Sequence, residues 1–386
     1  MGPVNAYINA TASFLPNAPV SGADIEKVLG MVGGRPSVAR ARILRSNGIA
    51  TRYYAVDPDT GRPTHTNAEL TAEAVRELER RSGLRLGEEM DLLACGTATP
   101  DQFMPSHGSM VHGELRTPPC EVFTTSGACC ASSAALKYAS LAVASGAARH
   151  AVVTGSETCS SVMRAHHFEP EIAGRVRALE EKPYLAFEHD FLRYMLSDGA
   201  GAFLLEPEPK RRTEWPSLRI EWIDFLSFGG ETEVCMYHGG VKEGSRFVGW
   251  KAVEDSHERV RRGCFNFGQD ARLLARQIGP LMAEGLRRTV AKHELKADDI
   301  AWFLPHYSSY FFRPEFERQL GEAGLPVPPE RHFTNLAEKG NTGSASVFLM
   351  LDDLLTSGRV RERQQILCFV PESARFSVAF LLLRAC

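Results

Sequence analysis

The sequence predicts an α/β fold assembled from two similar halves, on three observations. Apolar strand-like runs alternate with amphipathic helical runs along the whole chain, the pattern of an α/β protein. One order of elements (strand, small-residue turn, small-residue helix ending in Ser-Gly, strand) occurs twice. It is seen around "GACCASSAALKYASLAVASG" at 127–146 and around "GNTGSASVFLMLDDLLTSG" at 340–358, as an internal duplication would produce. Between the two lies "PEPKRRTEWP" at 207–216, rich in proline and charge, which reads as a linker separating residues 1–207 from 217–386.

The elements follow in order. "AYINATASFLP" reads as a first strand closed by Pro16. "HTNAELTAEAVRELERRSGL" predicts a helix capped by Asn67, with Leu70, Ala74, Val75 and Leu78 on one face and Gly83 as its stop. "DLLACGTATPD", "EVFTTSG" and "HAVVTGSET" are strands, the last two flanking the small-residue helix, and "LSDGAGAFLLEPEP" turns into another. After the linker come the strand "SLRIEWIDFLSF", a helix over about 270–293, the strand "IAWFLPH" and the closing hairpin "QQILCFVPESARFSVAFLLL".

The chain has 386 residues, 44% hydrophobic and 24% charged, an ordinary globular balance. A net charge of −3 implies no charge-driven affinity for nucleic acid or anionic lipid. No run approaches the roughly 18 apolar residues of a membrane span. The start of the chain lacks the basic stretch and apolar core of a secretory signal. Nine cysteines at irregular spacing, with no CxxC, fit reduced thiols in a cytoplasm. Adjacent cysteines cannot easily fill two vertices of one tetrahedral zinc site, so no metal is expected.

Two of those cysteines, Cys129 and Cys130, sit side by side where a strand turns into a helix. A thiol in a helix's first turn meets unpaired N–H groups and the positive end of the dipole, which favour thiolate. Buried cysteines also serve as small hydrophobic fillers, and local features alone leave both readings open. A nucleophile needs partners. Most histidines have plain readings: His166 and His167 lie in a polar run, His257 and His293 on charged helical faces. His306 leaves a buried strand directly behind Pro305, where loops carry function. Asn341 stands before a small-residue helix, where a simple cap is the competing role. "TGSET" around Ser156 is not a GxSxG elbow, and "DGAGA" at 198–202 precedes a strand rather than opening a phosphate-binding helix.

With Cys, His and Asn in this order, the chain resembles the type III β-ketoacyl-ACP synthases of the thiolase superfamily. Matching segments run through most of it: "NGIATRYYA", "DLLACGTATPDQFMPS", "SGACCASS" with "ASGAARHAVVTGSE", "LSDGAGAFLLEP", "WFLPHYSS" and "GNTGSAS". The resemblance implies the thiolase fold, two βαβαβαββ halves in a five-layered αβαβα core. It also selects the cysteine. The gap-free distance from the family's nucleophile to its "SGA" is reproduced by Cys129 and Ser145-Gly146-Ala147. Using Cys130 would turn the side chain roughly 100° around the helix. By the same resemblance Cys129 holds an acyl group, and His306 and Asn341 hydrogen-bond the thioester carbonyl of the second substrate. The Cys129 N–H serves one side of an oxyanion hole. No cofactor is implied beyond acyl groups delivered as carrier-protein or CoA thioesters, and the family forms homodimers. Arg313 is the candidate for carrier docking, ahead of Lys210-Arg211-Arg212.

Three departures point away from the fatty-acid initiating enzyme. The family's closing "GGGF" is here "ESARF", with Ser373, Ala374 and Arg375 at the glycine positions, which leaves the loop's oxyanion donor open. The family's CoA-stacking tryptophan falls near Arg42, favouring carrier-bound acyl groups. His306 is followed by Tyr-Ser-Ser rather than "QAN", and the region from about 160 to 265 is long. These features resemble condensing enzymes that join β-ketoacyl thioesters toward dialkylresorcinols. Two other readings stand beside this one: an acyltransferase moving the group from Cys129 to a hydroxyl or amine, and an inactive partner subunit.

Overall fold

A computed structural model describes residues 5–171 and 190–386. Part of the long 160–265 region therefore lies outside the described residues. Nine strands form the main sheet: β1 (Tyr7–Phe14), β2 (Leu92–Thr97), β3 (Glu121–Ser126), β4 (Ala151–Glu157), β5 (Gly199–Glu206), β6 (Leu218–Ser227), β7 (Ile300–Pro305), β8 (Gln365–Glu372) and β9 (Ser377–Ala385). The helices packed on it are α1 (Asn67–Ser82), α2 (His107–Leu115), α3 (Ala131–Ala144), α4 (Ala271–His293), α5 (Arg313–Glu322) and α6 (Ser346–Thr356).

The strand order is β7-β8-β9-β6-β1-β5-β4-β2-β3. Each half repeats one scheme about the β1–β6 junction. In the first, β2 runs parallel to β3 and β4, and β5 returns antiparallel between β4 and β1. In the second, β7 runs parallel to β8, and β9 returns antiparallel between β8 and β6. The counterpart of β3 has shrunk to one parallel bridge, Phe303 with His332. The halves join edge to edge through Tyr7 with Arg219 and Ile8 with Leu218, so their strands form one hydrogen-bonded sheet.

Strand alternation sorts the side chains into layers. On β2, Leu93 and Cys95 pack with Leu70, Ala74, Val75 and Leu78 of α1. Leu92 and Ala94 face the opposite way, into a core shared by α3 and α6. On β8, Ile366 and Cys368 join that same central core, whereas Leu367 and Phe369 pack with α4 and α5. The result is the αβαβα sandwich, with α3 and α6 as its middle layer. Full burial of each leucine or valine on these faces stabilises the fold by about 1.5–3 kcal/mol.

Close approach of the middle layer depends on glycine. Gly96 of β2 and Gly155 of β4 are cross-strand partners under the start of α3. A Cβ on Gly96 would lie 2.5 Å from the Ser132 backbone, and one on Gly155 would lie 2.7 Å from the Ser132 Cβ.

One local expectation is corrected. The cap of α1 is Thr66, whose hydroxyl accepts the Glu69 N–H while Glu69 reaches back to the Thr66 N–H. Asn67 is instead the first helical residue, buried, and its amide donates to Thr97 and Thr99. The stretch at 207–216 connects the two halves and is anchored: Lys210 and Arg212 both pair at 2.7 Å with the buried Glu206.

Candidate active site

The middle layer positions the chemistry. β3 ends at Ser126, a four-residue turn carries Cys129, and α3 starts at Ala131. Cys130 is buried with its thiol 3.3 Å from the Val370 carbonyl, which makes it a filler of the core. Cys129 is only half-buried and lines a cavity.

His306 enters from the second half. It follows β7 directly, and its N–H donates to the Phe369 carbonyl at 2.8 Å, which extends the β7–β8 pairing by one residue. Its ring is buried, and Nε2 has no protein partner among the described residues. Burial pulls its pKa down to about 4, so the imidazole is neutral near pH 7.

Asn341 lies before α6. Its backbone is fixed on both sides, with its N–H donated to the Met195 carbonyl and its own carbonyl accepting from Ser197. Gly340 turns the chain there at φ 71°, with the buried Arg52 packed beneath it. The Asn341 Oδ1 accepts the Gly343 N–H at 2.9 Å. That bond orients the side-chain amide and leaves Nδ2 as a donor.

Cys129, His306 and Asn341 all line one narrow cavity of about 60 Å³, with Ala98, Phe267 and Ser373 among its other walls. Three residues spread over more than 200 positions of sequence therefore share one space. A second, open apolar cleft of about 780 Å³ adjoins it, walled by Phe103, Val162, Tyr237, Phe247 and Phe265. Ala98, Ala128, Met236 and Phe267 line both spaces, so the turn at 127–130 borders both.

The thiolate expected from the helix dipole is not what the site favours. Burial pushes the Cys129 thiol well above its ordinary pKa, and the Glu372 and Glu157 carboxylates push it further. Desolvation and two nearby negative charges outweigh a dipole whose first helical residue lies two positions downstream. Neither carboxylate was singled out by sequence reasoning. Glu157 ends β4 and is fully buried. It accepts the Ala98 and Ser344 N–H groups at 3.0 and 3.1 Å and the Thr99 hydroxyl at 2.6 Å. Glu372 ends β8 and accepts the Cys130 N–H at 2.9 Å, with the Ala128 N–H also directed to it. Burial raises the pKa of both. The available signal was position, since each is the last residue of a strand that ends at the site.

The closing loop contains no glycine. Residues 373–376 join β8 to β9, with Arg375 at φ 63° and Phe376 at φ 51°. Left-handed backbone at such residues costs about 1–2 kcal/mol each. The fully buried Phe376 ring and the Phe228 N–H bound to its carbonyl hold the turn in place. Ser373 lines the narrow cavity, and its hydroxyl accepts from Gln269. Among the other candidates, Arg313 pairs with Glu317 at 2.7 Å and Arg211 with Glu362. With Lys210 and Arg212 held on Glu206, the basic run is not a free patch. Arg42 is exposed on a short helix. No helix of the described residues is long and apolar enough to cross a membrane.

Comparison with known proteins agrees with this geometry. Residues 290–371, which include His306 and Asn341, match the family model of the 3-oxoacyl-[acyl-carrier-protein] synthase III C-terminal domain. The β-ketoacyl-ACP synthase III of Sphingopyxis alaskensis is 27% identical over 361 residues, and that of Rhizorhabdus wittichii 26% over 356, each alignment covering 92% of both chains. The chain is thus similar over most of its length to the type III β-ketoacyl-ACP synthases. Solved structures share the fold. AbyA1, a tetronic acid condensing enzyme, superposes with a TM-score of 0.76 at 23% identity, covering 98% of this chain and all of its own. A structure of OleA from Xanthomonas campestris gives 0.74 at 18%, covering 98% of each. FabH from Pseudomonas aeruginosa PAO1 gives 0.69 at 21%, covering 99% of this chain and 98% of its own.

Proposed function

We propose that the protein is a condensing enzyme that forms a carbon–carbon bond between two thioesters. The observation that carries this is the shared cavity, in which one half presents Cys129 and the other presents His306 and Asn341. Cys129 takes an acyl group from a carrier thioester. The second thioester then places its carbonyl oxygen against the His306 and Asn341 nitrogens. A neutral imidazole bearing its proton on Nε2 and a side-chain amide are both donors, and neither releases a proton to solvent at neutral pH. Fixed donors aimed at a developing enolate oxygen are the strongest electrostatic aid available to a Claisen condensation. With a malonyl partner, the bond to its carboxylate breaks, carbon dioxide leaves, and the freed electron pair becomes the enolate. This attacks the acyl carbonyl, the new C–C bond forms, and the Cys129 sulfur leaves as a thiolate that takes up a proton from solvent.

Several features support a specialised condensing enzyme rather than a fatty-acid initiator. The loop at 373–376 lacks glycine, Arg42 offers no ring for an adenine, and the open apolar cleft gives a long acyl chain room. The fold is shared with AbyA1 and OleA as well as with FabH. The reading extends to carrier-protein delivery, a β-ketoacyl second substrate of the dialkylresorcinol type, a homodimer and a cytoplasmic site of action.

The test supplies an acyl carrier protein thioester with either a malonyl or a β-ketoacyl partner and looks for the condensed product. Asn341→Ala should lower product formation by about 10²–10³-fold while the acyl-Cys129 adduct persists. An acyltransferase working on a hydroxyl or amine would instead tolerate Asn341→Ala and yield an ester or amide.

A further inference from the structure

The turn that carries Asn341 rests on a buried cation. Arg52 is fully buried, and among the described residues its hydrogen-bond partners are backbone carbonyls, with no carboxylate paired to it. Its Nε and Nη2 both donate to the Tyr194 carbonyl, the first at 3.1 Å, and its Nη1 donates to the Ile49 carbonyl at 2.9 Å. The Asn47 side-chain amide donates to the same Tyr194 carbonyl at 2.9 Å. A charge taken out of water with no counter-charge is costly to a fold, and costs of that kind mark functional sites. The residues after Tyr194 show what this one serves. The Asn341 N–H is held by the Met195 carbonyl at 3.1 Å, and the Asn341 carbonyl accepts the Ser197 N–H at 2.9 Å. Leu196, between them, pairs with Asn341 as an isolated parallel bridge. Arg52 also reaches this turn from below, since a Cβ added to Gly340 would lie 3.1 Å from the Arg52 Cγ. Its chain neighbours lace the same segments together. The Ala50 N–H donates to the Ala337 carbonyl at 2.8 Å, the Thr51 hydroxyl to the Glu338 carbonyl, and the Tyr53 N–H to the Ser197 hydroxyl at 2.8 Å.

We propose that Arg52 is a positioning residue for Asn341. This rests on the reading of Asn341 as a donor to the second thioester. The planar guanidinium spans two carbonyls from different segments, Ile49 of its own and Tyr194 of the other, and so fixes how far apart they stand. Residues 195–197 then hold the Asn341 backbone in place, and the Gly343 N–H on Oδ1 sets the rotation of its amide. Met195 and Leu196 line the narrow cavity beside Asn341, so any slip of this segment moves a wall of the site as well as the donor. A reacting geometry misplaced by about 1 Å costs about 10²-fold in rate. In this role Arg52 acts through Asn341 and meets no substrate.

The experiment compares wild type, Arg52→Met and Arg52→Lys by amide hydrogen exchange, acyl loading and condensation turnover. Exchange at the Ser197 and Gly343 amides reads the positioning directly, because the Asn341 carbonyl accepts one and its Oδ1 the other. Arg52→Met should speed exchange at these two amides by about tenfold or more while the middles of α1 and α6 stay protected, a local opening rather than a global one. Condensation turnover should fall by about 10²-fold, with acyl loading of Cys129 within a few-fold of wild type. Added to Asn341→Ala, Arg52→Met should cost less than about threefold more, since coupled residues are not additive. Arg52→Lys keeps the charge, but one nitrogen cannot span both carbonyls, so it should show the same pattern at reduced size even if Arg52→Met folds poorly. Unchanged exchange at Ser197 and Gly343 in both variants would overturn the proposal. So would exchange that rises equally through α1 and α6, or an Arg52→Met loss that multiplies in full on Asn341→Ala. Exchange judges Arg52 without any substrate. A wild type that yields no condensed product, while the variants still show the local opening, would instead count against the condensing-enzyme reading.

Discussion

The two halves of the molecule share a frame and differ in what they mount on it. The residue after the strand β2 is Ala98, and the residue after its counterpart β7 is His306. The turn before α3 carries Cys129, and the turn before α6 carries Asn341. All four line the same cavity. The two halves thus offer two equivalent pairs of positions facing one space, and in the function proposed one half holds the nucleophile and the other the hydrogen-bond donors. On that proposal the site needs both halves, because neither alone would combine a carrier of the acyl group with stabilisation of the enolate.

Breaking the donor side of this comparison should have the largest effect. His306→Ala and Asn341→Ala are each expected to lower condensation turnover by about 10²–10³-fold, the cost of removing one oxyanion donor. Both should leave acyl loading of Cys129 within a few-fold of wild type. Steady-state product formation and adduct formation, measured on the same preparations, separate the two halves' contributions. Equal losses in loading and condensation would mean that the halves do not divide the work.

The shared frame can be broken next. Gly96→Ala places a methyl group 2.5 Å from the Ser132 backbone, which cannot move without shifting the start of α3. Overpacking of this kind costs about 1–3 kcal/mol or more. The thermal midpoint should fall by several degrees, and Cys129 alkylation should change with it. An unchanged midpoint would show that the middle layer is looser than its contacts indicate.

The two carboxylates sharpen the contrast at a smaller scale. Glu157→Ala strands the Ala98 and Ser344 amides and the Thr99 hydroxyl in the core, and buried donors without partners cost about 1–3 kcal/mol apiece. Glu372→Ala leaves its amides beside the open cleft that Glu372 lines. Calorimetry should therefore find Glu157→Ala the less stable of the two. The opposite order would assign Glu372 the structural role.

How much of this was legible in the sequence follows from how local each feature is. The strands of both halves, α1, α3, α4 and α6 are fixed by short-range periodicity and small-residue turns, and all lie where the sequence placed them. Cys129, His306 and Asn341 were reached through motifs, and the structure brings all three to one cavity. What sequence reading missed are long-range pairings. Glu372 meets Cys130 across 242 positions and Glu157 meets Ser344 across 187, so no local pattern marks either contact. The same holds for the Cys129 thiol. A helix start is visible in sequence, whereas the burial and carboxylates that reverse its effect come from other strands. Thr66 was passed over as the cap because Asn67, one residue on, is an equally good capping type, and only its buried bonds to Thr97 and Thr99 decide between them.

The central claim is that Cys129 carries the acyl group between the two halves. Intact-protein mass spectrometry after incubation with acyl carrier protein thioesters, followed by peptide mapping, tests it most directly. The prediction is a single mass increase equal to the acyl group, located on Cys129, absent from Cys129→Ala and retained in Cys130→Ala. An adduct on Cys130, or acyl transfer that persists in Cys129→Ala, would contradict it.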